Sequence, residues 1–264
     1  MAGSLIGGLI ADGYDSQRIT VSDPDREKLA QLAARFEVRT ETDNAKAVEQ
    51  AEIVVLAVKP QTLETVARGI AETLAGTRPL IISIAAGIQQ SALGEWLGGE
   101  VALVRAMPNT PAMIQSGATG LHAGPGVSDE QRDMAESILR AVGLTCWVGD
   151  ESQMDAVTAI SGSGPAYYFL IMEAIEAVAL EIGLEADTAR LLTLQTALGA
   201  ARMAMESSDS PATLRQKVTS PGGTTERALK ILEEGQLRTL FADAIKGAQS
   251  RSRELSDMLG NRQS

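Results

Sequence analysis

Two residue types that carry much of enzyme chemistry are nearly missing from this chain of 264 residues. It has one cysteine, Cys146, and one histidine, His122. A single cysteine excludes an intrachain disulfide framework and suits a reducing compartment, so a cytoplasmic location is expected. A single histidine argues against a histidine-based metal site or a Ser-His-Asp triad within one chain. Aromatic residues make up only 3%, which leaves the packing to small aliphatic side chains. Positive charge is short as well: 23 Lys and Arg against 34 Asp and Glu give a formal net charge of −11. So acidic a surface argues against nucleic acid or an anionic membrane as a general partner, while allowing a local basic pocket. The first residues lack the basic and long apolar segments of a secretory leader, so none is expected.

Scarcity is sharpest in Asp155–Gly183, DAVTAISGSGPAYYFLIMEAIEAVALEIG. This stretch has no Lys, Arg or His, and after Pro165 its only charges are Glu173, Glu176 and Glu181. A helix apolar nearly all round is buried on most sides. Glu173 follows too short an apolar run for the segment to cross a bilayer. The central helix of a helical domain or of a subunit interface is expected. The glycines of Ser161-Gly-Ser-Gly-Pro165 cost about 1 kcal/mol each relative to alanine. They mark either close backbone approach to a ligand or another helix, or a kink.

What is present is alternation. Met1–Gly13 reads as a helix already under way, with Gly13 a natural stop. Arg18–Ser22 reads as a strand, and Pro24–Phe36 as a helix with Leu29, Leu32, Ala33 and Phe36 on one face. Ile53–Val58 and Leu80–Ile84 are continuous apolar runs, the pattern of strands covered on both faces. Helices are expected over Gln61–Leu74, Gln89–Leu97 and Asp129–Val142, and strands over Val101–Ala106, Ala118–Ala123 and Leu144–Gly149. Met107–Pro111 is a loop by its prolines. The pattern predicts an α/β fold with right-handed βαβ units and a parallel sheet. From about Gln153 no strand pattern returns, and Ala186–Ser207, Ala212–Val218, Thr224–Glu234 and Leu237–Leu259 read as helices. Two domains are therefore expected: residues 1–150 binding a dinucleotide, and a helical domain over 151–264.

A doubly wound sheet binds ligands beyond the carboxyl ends of its strands, and the candidate residues fall there. Asp23 ends the first strand, where an acidic residue commonly bonds a ribose 2′-hydroxyl. Lys59-Pro60 follows the next, so Lys59 projects a cation over the crevice. Ala85-Ala86-Gly87 leaves room for a flat ring or a phosphate, and Asn109-Thr110 follows the fourth strand. Each alone reads as readily as a solvated strand end; together they favour a crevice. The GxGxxG turn that should join a first strand to the first helix is missing. Gly3, Gly7 and Gly8 fall inside that helix and read as packing positions. In Thr219–Arg227, two glycines precede a helix whose first N–H groups form an anion site, or else Thr224 or Thr225 caps it. Cys146 reads as core, His122 as structural, and Arg251, Arg253, Glu233 and Glu234 as solvated helix faces.

Six stretches carry a resemblance: AVKP at 57–60, SIAAG at 83–87, MPNTP at 107–111, DAVTAISGSGPAY at 155–167, TSPGGTT at 219–225 and RSREL at 251–255. In this order they resemble the pyrroline-5-carboxylate reductases across essentially the whole chain. The resemblance implies a Rossmann-like parallel sheet domain, here without its first strand, followed by an all-α dimerisation domain. It implies reduction of 1-pyrroline-5-carboxylate to L-proline, the last step of proline biosynthesis, with NADPH or NADH and no metal. It also implies a homodimer that can assemble further. Carried over, Ala57, Val58, Lys59 and Pro60 form a cofactor loop, with Asp23 and Asn44 at the adenosine ribose. Ala86 and Gly87 lie along the cofactor, and Asn109 and Thr110 near the nicotinamide. Ser163, Gly223, Thr224 and Thr225 bind substrate, with Thr225 bonding the ring nitrogen, the loop amides at 222–225 holding the carboxylate, and Glu151 near bound proline. Asp23 stands where NADP users often carry a small polar residue, so NADH use is expected beside NADPH.

The family opens with a strand and a GAGNMA-like turn that this chain does not show. A deficit of about ten residues is expected to leave strand ladders unpaired at roughly 1–3 kcal/mol per buried group, with poor stability and weak cofactor binding. Two rival readings remain open. A β-hydroxyacid-type dehydrogenase shares the plan but needs a basic residue on the central helix, and Asp155–Gly183 has none. A cofactor-binding or vestigial protein, inactive through loss of the phosphate-binding turn, is the other.

Overall fold

Helix α1, Ala2–Ala11, opens the chain in a computed structural model that describes residues 1–260. Its glycines allow it to lie close to its neighbours: a Cβ on Gly8 would stand 2.4 Å from the carbonyl oxygen of Ala141. Strand β1 (Thr20–Ser22), helix α2 (Arg26–Phe36), strand β2 (Arg39–Glu41) and the short helix α3 (Asn44–Val48) follow. Asp25 caps α2 by accepting from the N–H groups of Glu27 and Lys28, and Asp43 caps α3 through the N–H of Ala45. Strand β3 (Ile53–Leu56), helix α4 (Pro60–Thr77), strand β4 (Leu80–Ser83), helix α5 (Gln90–Trp96) and strand β5 (Leu103–Met107) complete the alternation read from the sequence. Then come β6 (Gly117–Ala123), α6 (Asp129–Arg140), β7 (Gly143–Trp147) and α7 (Met154–Val157). β2 and α3 were not anticipated: RTE is too short and too polar to show a period.

β1 and β2 form a parallel pair, and the other strands a sheet of order β3-β4-β5-β6-β7. The sheet is parallel except between β5 and β6, which run antiparallel. The parallel sheet expected from alternation is present, with this one antiparallel step. Only a short loop with one 3-10 turn, Thr110–Ile114, joins β5 to β6, and a parallel return needs a longer crossover. β1 bonds only to β2, and β3 only to β4, so each has one edge without a strand partner among the described residues. An exposed ion pair, Arg18 Nη2 to Glu52 Oε2 at 3.8 Å, links the residues ahead of these two strands. β4 is buried on both faces, as its apolar run predicts. One face packs on Leu63, Ala67, Ile70 and Leu74 of α4, the other on Leu5 of α1 and Ala135 and Leu139 of α6. β7 is an edge strand, and its face bearing Leu144 and Cys146 is exposed. The expectation of a core Cys146 is thereby corrected: the strand is present, but nothing among the described residues covers that side.

Two compact units emerge. Met1–Ser163 with the chain from Ala248 on is one; Gly164–Gly247 is the other. Residues 261–264 of the helical domain expected above lie outside the described residues. The second unit holds α8 (Gly164–Glu181), α9 (Ala186–Glu206), α10 (Pro211–Lys217), α11 (Thr224–Glu234) and the first half of α12 (Leu237–Gly260). On α8 only Gly164 and Ala179 are buried, while Phe169 is 62% and Leu170 66% exposed. The burial that its composition demands is not supplied within one chain.

Candidate active site

The strand-end residues stand where the sequence placed them. Asp23 follows β1 directly; its Oδ1 accepts from the N–H of Asp25 at 2.9 Å, and Lys28 Nζ lies 3.9 Å away. The N–H of Lys28 also holds the Asp25 carboxyl below its usual range. A cavity of about 300 Å³ opens beside these groups, lined by Arg26, Leu29, Ala30, Thr40, Glu41 and Thr42. Asn44 starts α3, half-buried. Ala57 and Val58 lead from β3 to Lys59, whose exposed side chain precedes Pro60 at the first position of α4. Ala86 is exposed and Gly87 turns with φ +74° after β4. Asn109 is buried at the start of the 3-10 turn, and Thr110 is exposed beside it. The first unit thus carries small and polar groups at the ends of β1, β3, β4 and β5.

The same unit holds a part-buried network that the sequence does not announce. Arg105, 5% exposed on β5, donates through Nη1 to Glu151 Oε1 at 3.0 Å. The same oxygen accepts from the N–H of Gln90 at 2.7 Å. Gln90 Nε2 donates to the carbonyls of Leu103 and His122, both at 3.1 Å, and its Oε1 lies 2.9 Å from His122 Nδ1. Burial holds the His122 imidazole below its usual value; Glu151 and Asp150 oppose that shift. The signal was a charge inside the apolar run VALVRAM, because a buried arginine requires a partner. Arg253 and Ser252 are a second case. Arg253 reads as solvated in the sequence, yet it lies 3.7 Å from Asp155 Oδ2, and the adjacent Ser252 Oγ donates to Asp155 Oδ1 at 2.7 Å.

Between α7 and α8 the chain makes one π turn, Thr158–Gly162, followed by half-buried Ser163. In the second unit, Gly223, Thr224 and Thr225 stand at the head of α11. The N–H of Gly222 is bonded to Glu226 Oε2 at 2.8 Å and that of Gly223 to the Ser220 carbonyl at 3.0 Å. Of the loop amides expected to hold a carboxylate, this leaves those of Thr224 and Thr225 without partners among the described residues. No group of three or more His, Cys, Asp or Glu there is placed to hold a metal, and no helix there is long and apolar enough to cross a membrane.

Residues 151–255 match the family model of the pyrroline-5-carboxylate reductase dimerisation domain, and residues 1–87 that of the coenzyme F420-dependent NADP oxidoreductases. A pyrroline-5-carboxylate reductase of Pseudomonas aeruginosa is 48% identical across 98% of this chain and 95% of its own length. The chain belongs to the pyrroline-5-carboxylate reductase family. The enzyme of that name from Pasteurella multocida is 42% identical over 98% of this chain and 95% of its own. A solved pyrroline-5-carboxylate reductase from Coxiella burnetii superposes with a TM-score of 0.94 at 49% identity, covering 97% of this chain and 94% of its own. The open edges of β1 and β3 stand as observed. The matched dimerisation domain includes α8, and the chain is a homodimer.

Proposed function

We infer that this chain reduces 1-pyrroline-5-carboxylate to L-proline with NAD(P)H. The observation that carries the reading is 48% identity to a pyrroline-5-carboxylate reductase across 98% of the chain. The dehydrogenase alternative would require a base on the central helix, and Asp155–Gly183 has none. A vestigial role is not favoured by the matches.

The strand ends fit a dinucleotide: a carboxylate after β1, small residues after β4 and a cavity beside α2. When bound, the nicotinamide supplies a hydride. Asp23 and Asn44 would hold the adenosine ribose, Ala57, Val58, Lys59 and Pro60 the loop beside it, and Ala86, Gly87 and Thr110 the nicotinamide half, while the Asn109 amide, expected beside them, is bonded at both ends to Ser161 and Ala118 instead. Ser163 and Gly223 would bound the substrate. The N–H groups of Thr224 and Thr225 would hold its carboxylate, with the positive end of α11 adding to the attraction. The Thr225 hydroxyl would bond the ring nitrogen. A protonated cyclic imine is already a good electrophile, so position rather than acid catalysis is required. C5 gains the hydride, the C=N π pair moves to nitrogen, and nitrogen keeps its proton. NADPH is the expected donor, with NADH accepted. The dimers assemble further and the enzyme works in the cytoplasm.

Oxidation of NADPH, followed at its absorbance with 1-pyrroline-5-carboxylate as sole acceptor, tests the reading. No proline formed by the folded dimer would end it. Replacing Thr225 by Ala is expected to lower kcat/KM about tenfold to a hundredfold with the melting temperature unchanged. An unchanged rate removes its role.

A further inference from the structure

Proline at position 165 leaves a break in a helix ladder. In an α-helix the carbonyl of Ser161 receives the N–H four residues on. Here that residue is Pro165, which has none. Just before it the backbone makes the π turn Thr158–Gly162, and the N–H of Ser163 reaches back to the Thr158 carbonyl at 2.8 Å. The Ser161 carbonyl takes a hydrogen bond from outside the helix: Asn109 Nδ2 donates to it at 3.0 Å. The other end of that amide, Oδ1, accepts from the N–H of Ala118 at 2.9 Å. Asn109 is 9% exposed and sits two residues beyond the end of β5. The turn and that strand end are in close contact, since a Cβ on Gly162 would stand 2.7 Å from Met107 Cε.

We propose that Asn109 is a positioning residue: it replaces the N–H that Pro165 cannot give, and so fixes the Ser161–Ser163 turn at the carboxyl end of β5. It acts on the reaction through Ser163 rather than by contact with the cofactor. The effect on turnover rests on the reading of Ser163 as substrate-binding; the effect on the turn does not. The side chain is suited to the task because it must offer an acceptor to Ala118 and a donor to Ser161 at once. Aspartate keeps the first bond, loses the second, and sets a carboxylate against a carbonyl oxygen. π turns persist where their surroundings hold them and are frequent at functional sites.

Four variants test this: N109A, the isosteric N109D, P165A and N109A/P165A. Each is measured for KM and kcat with 1-pyrroline-5-carboxylate, for NADPH affinity by titration, and for hydrogen exchange at residues 158–166. Loss of the bond in N109A is expected to raise KM about tenfold and quicken exchange in the turn. NADPH affinity should stay within about twofold, because no cofactor contact is removed. P165A restores an N–H, so the N109A effect on exchange and KM should be much smaller in the P165A background. If N109A does not fold, N109D and a further double variant, N109D/P165A, carry the same cycle. A loss of NADPH affinity as large as the change in KM overturns the proposal, as does an equal N109A effect in both backgrounds. If the wild-type dimer does not reduce 1-pyrroline-5-carboxylate, the reductase reading fails, while the exchange cycle still decides whether Asn109 holds the turn.

Discussion

Gln90 settles where His122 carries its proton. Both hydrogens of Gln90 Nε2 go to carbonyls, so its Oε1 is an acceptor and Nδ1 of the neutral imidazole must be the donor. Burial lowers the imidazole's pKa from its ordinary 6.5, so the folded state favours the neutral ring. The stability tied to this group is therefore complete above pH 6.5 and is lost as pH falls through the lower folded value. Urea midpoints should fall between pH 7 and about pH 5. His122→Asn, which keeps a donor for Gln90, should flatten that slope; an identical slope in the variant would refute it. Breaking the neighbouring Arg105–Glu151 pair should be costlier, because it strands a charge. Arg105→Met is expected to lose about 3 kcal/mol in denaturant unfolding, and Glu151→Gln less, since the amide oxygen still accepts. At Asp23 the sign concerns cofactor choice: a carboxylate repels a 2′-phosphate. Asp23→Ser should shift the kcat/KM ratio toward NADPH about tenfold, and an unmoved ratio would detach this residue from the ribose.

At the scale of elements, burial and hydrogen bonding diverge. β3 is apolar and packed, yet bonded on one side only. Leu80 N–H donates to Glu52 O and Ile84 N–H to Leu56 O, so the even-numbered residues of β3 face β4. The N–H groups of Ile53 and Val55 then point to the open edge. Their exchange should be at least ~100-fold faster than that of Val54 and Leu56; equal protection would mean that the edge is covered. The apolar runs IVVLAV and LIISI announced β3 and β4 because a doubly covered strand needs a run of apolar residues. No run could announce the antiparallel turn to β6, since direction depends on the connection. The long helix read from Asp155 on is divided by the π turn Thr158–Gly162 just ahead of Pro165, and Asn109 bonds the carbonyl left open there. The strand-end residues were legible because a strand's end is local. The Arg105–Gln90–His122–Glu151 network was not, since it joins residues from α5, β5, β6 and the turn before α7.

For the whole molecule the exposed apolar residues of α8 and α9 set the terms. Ile175, Leu191, Leu192 and Leu198 are each more than half exposed in the single chain, more than a monomer's surface usually leaves open. If the homodimer interface covers them, stability is linked to concentration. The melting temperature should fall on dilution, and Leu170→Glu should yield monomers in sedimentation with a lower melting point. A dimer of unchanged stability would place the interface elsewhere.

By itself the sequence determined the alternation of strands and helices, the small and polar residues at strand ends, and an unmet demand for burial in Asp155–Gly183. These are local properties, carried by period, punctuation and composition. Only the tertiary structure decided that Asn109 pairs with Ser161, that Arg105 and Glu151 share their charge beside Gln90, and that Cys146 is uncovered. Each of those depends on residues far apart in the chain, and a hydrogen bond of about 3 Å exists only once the packing has brought them together.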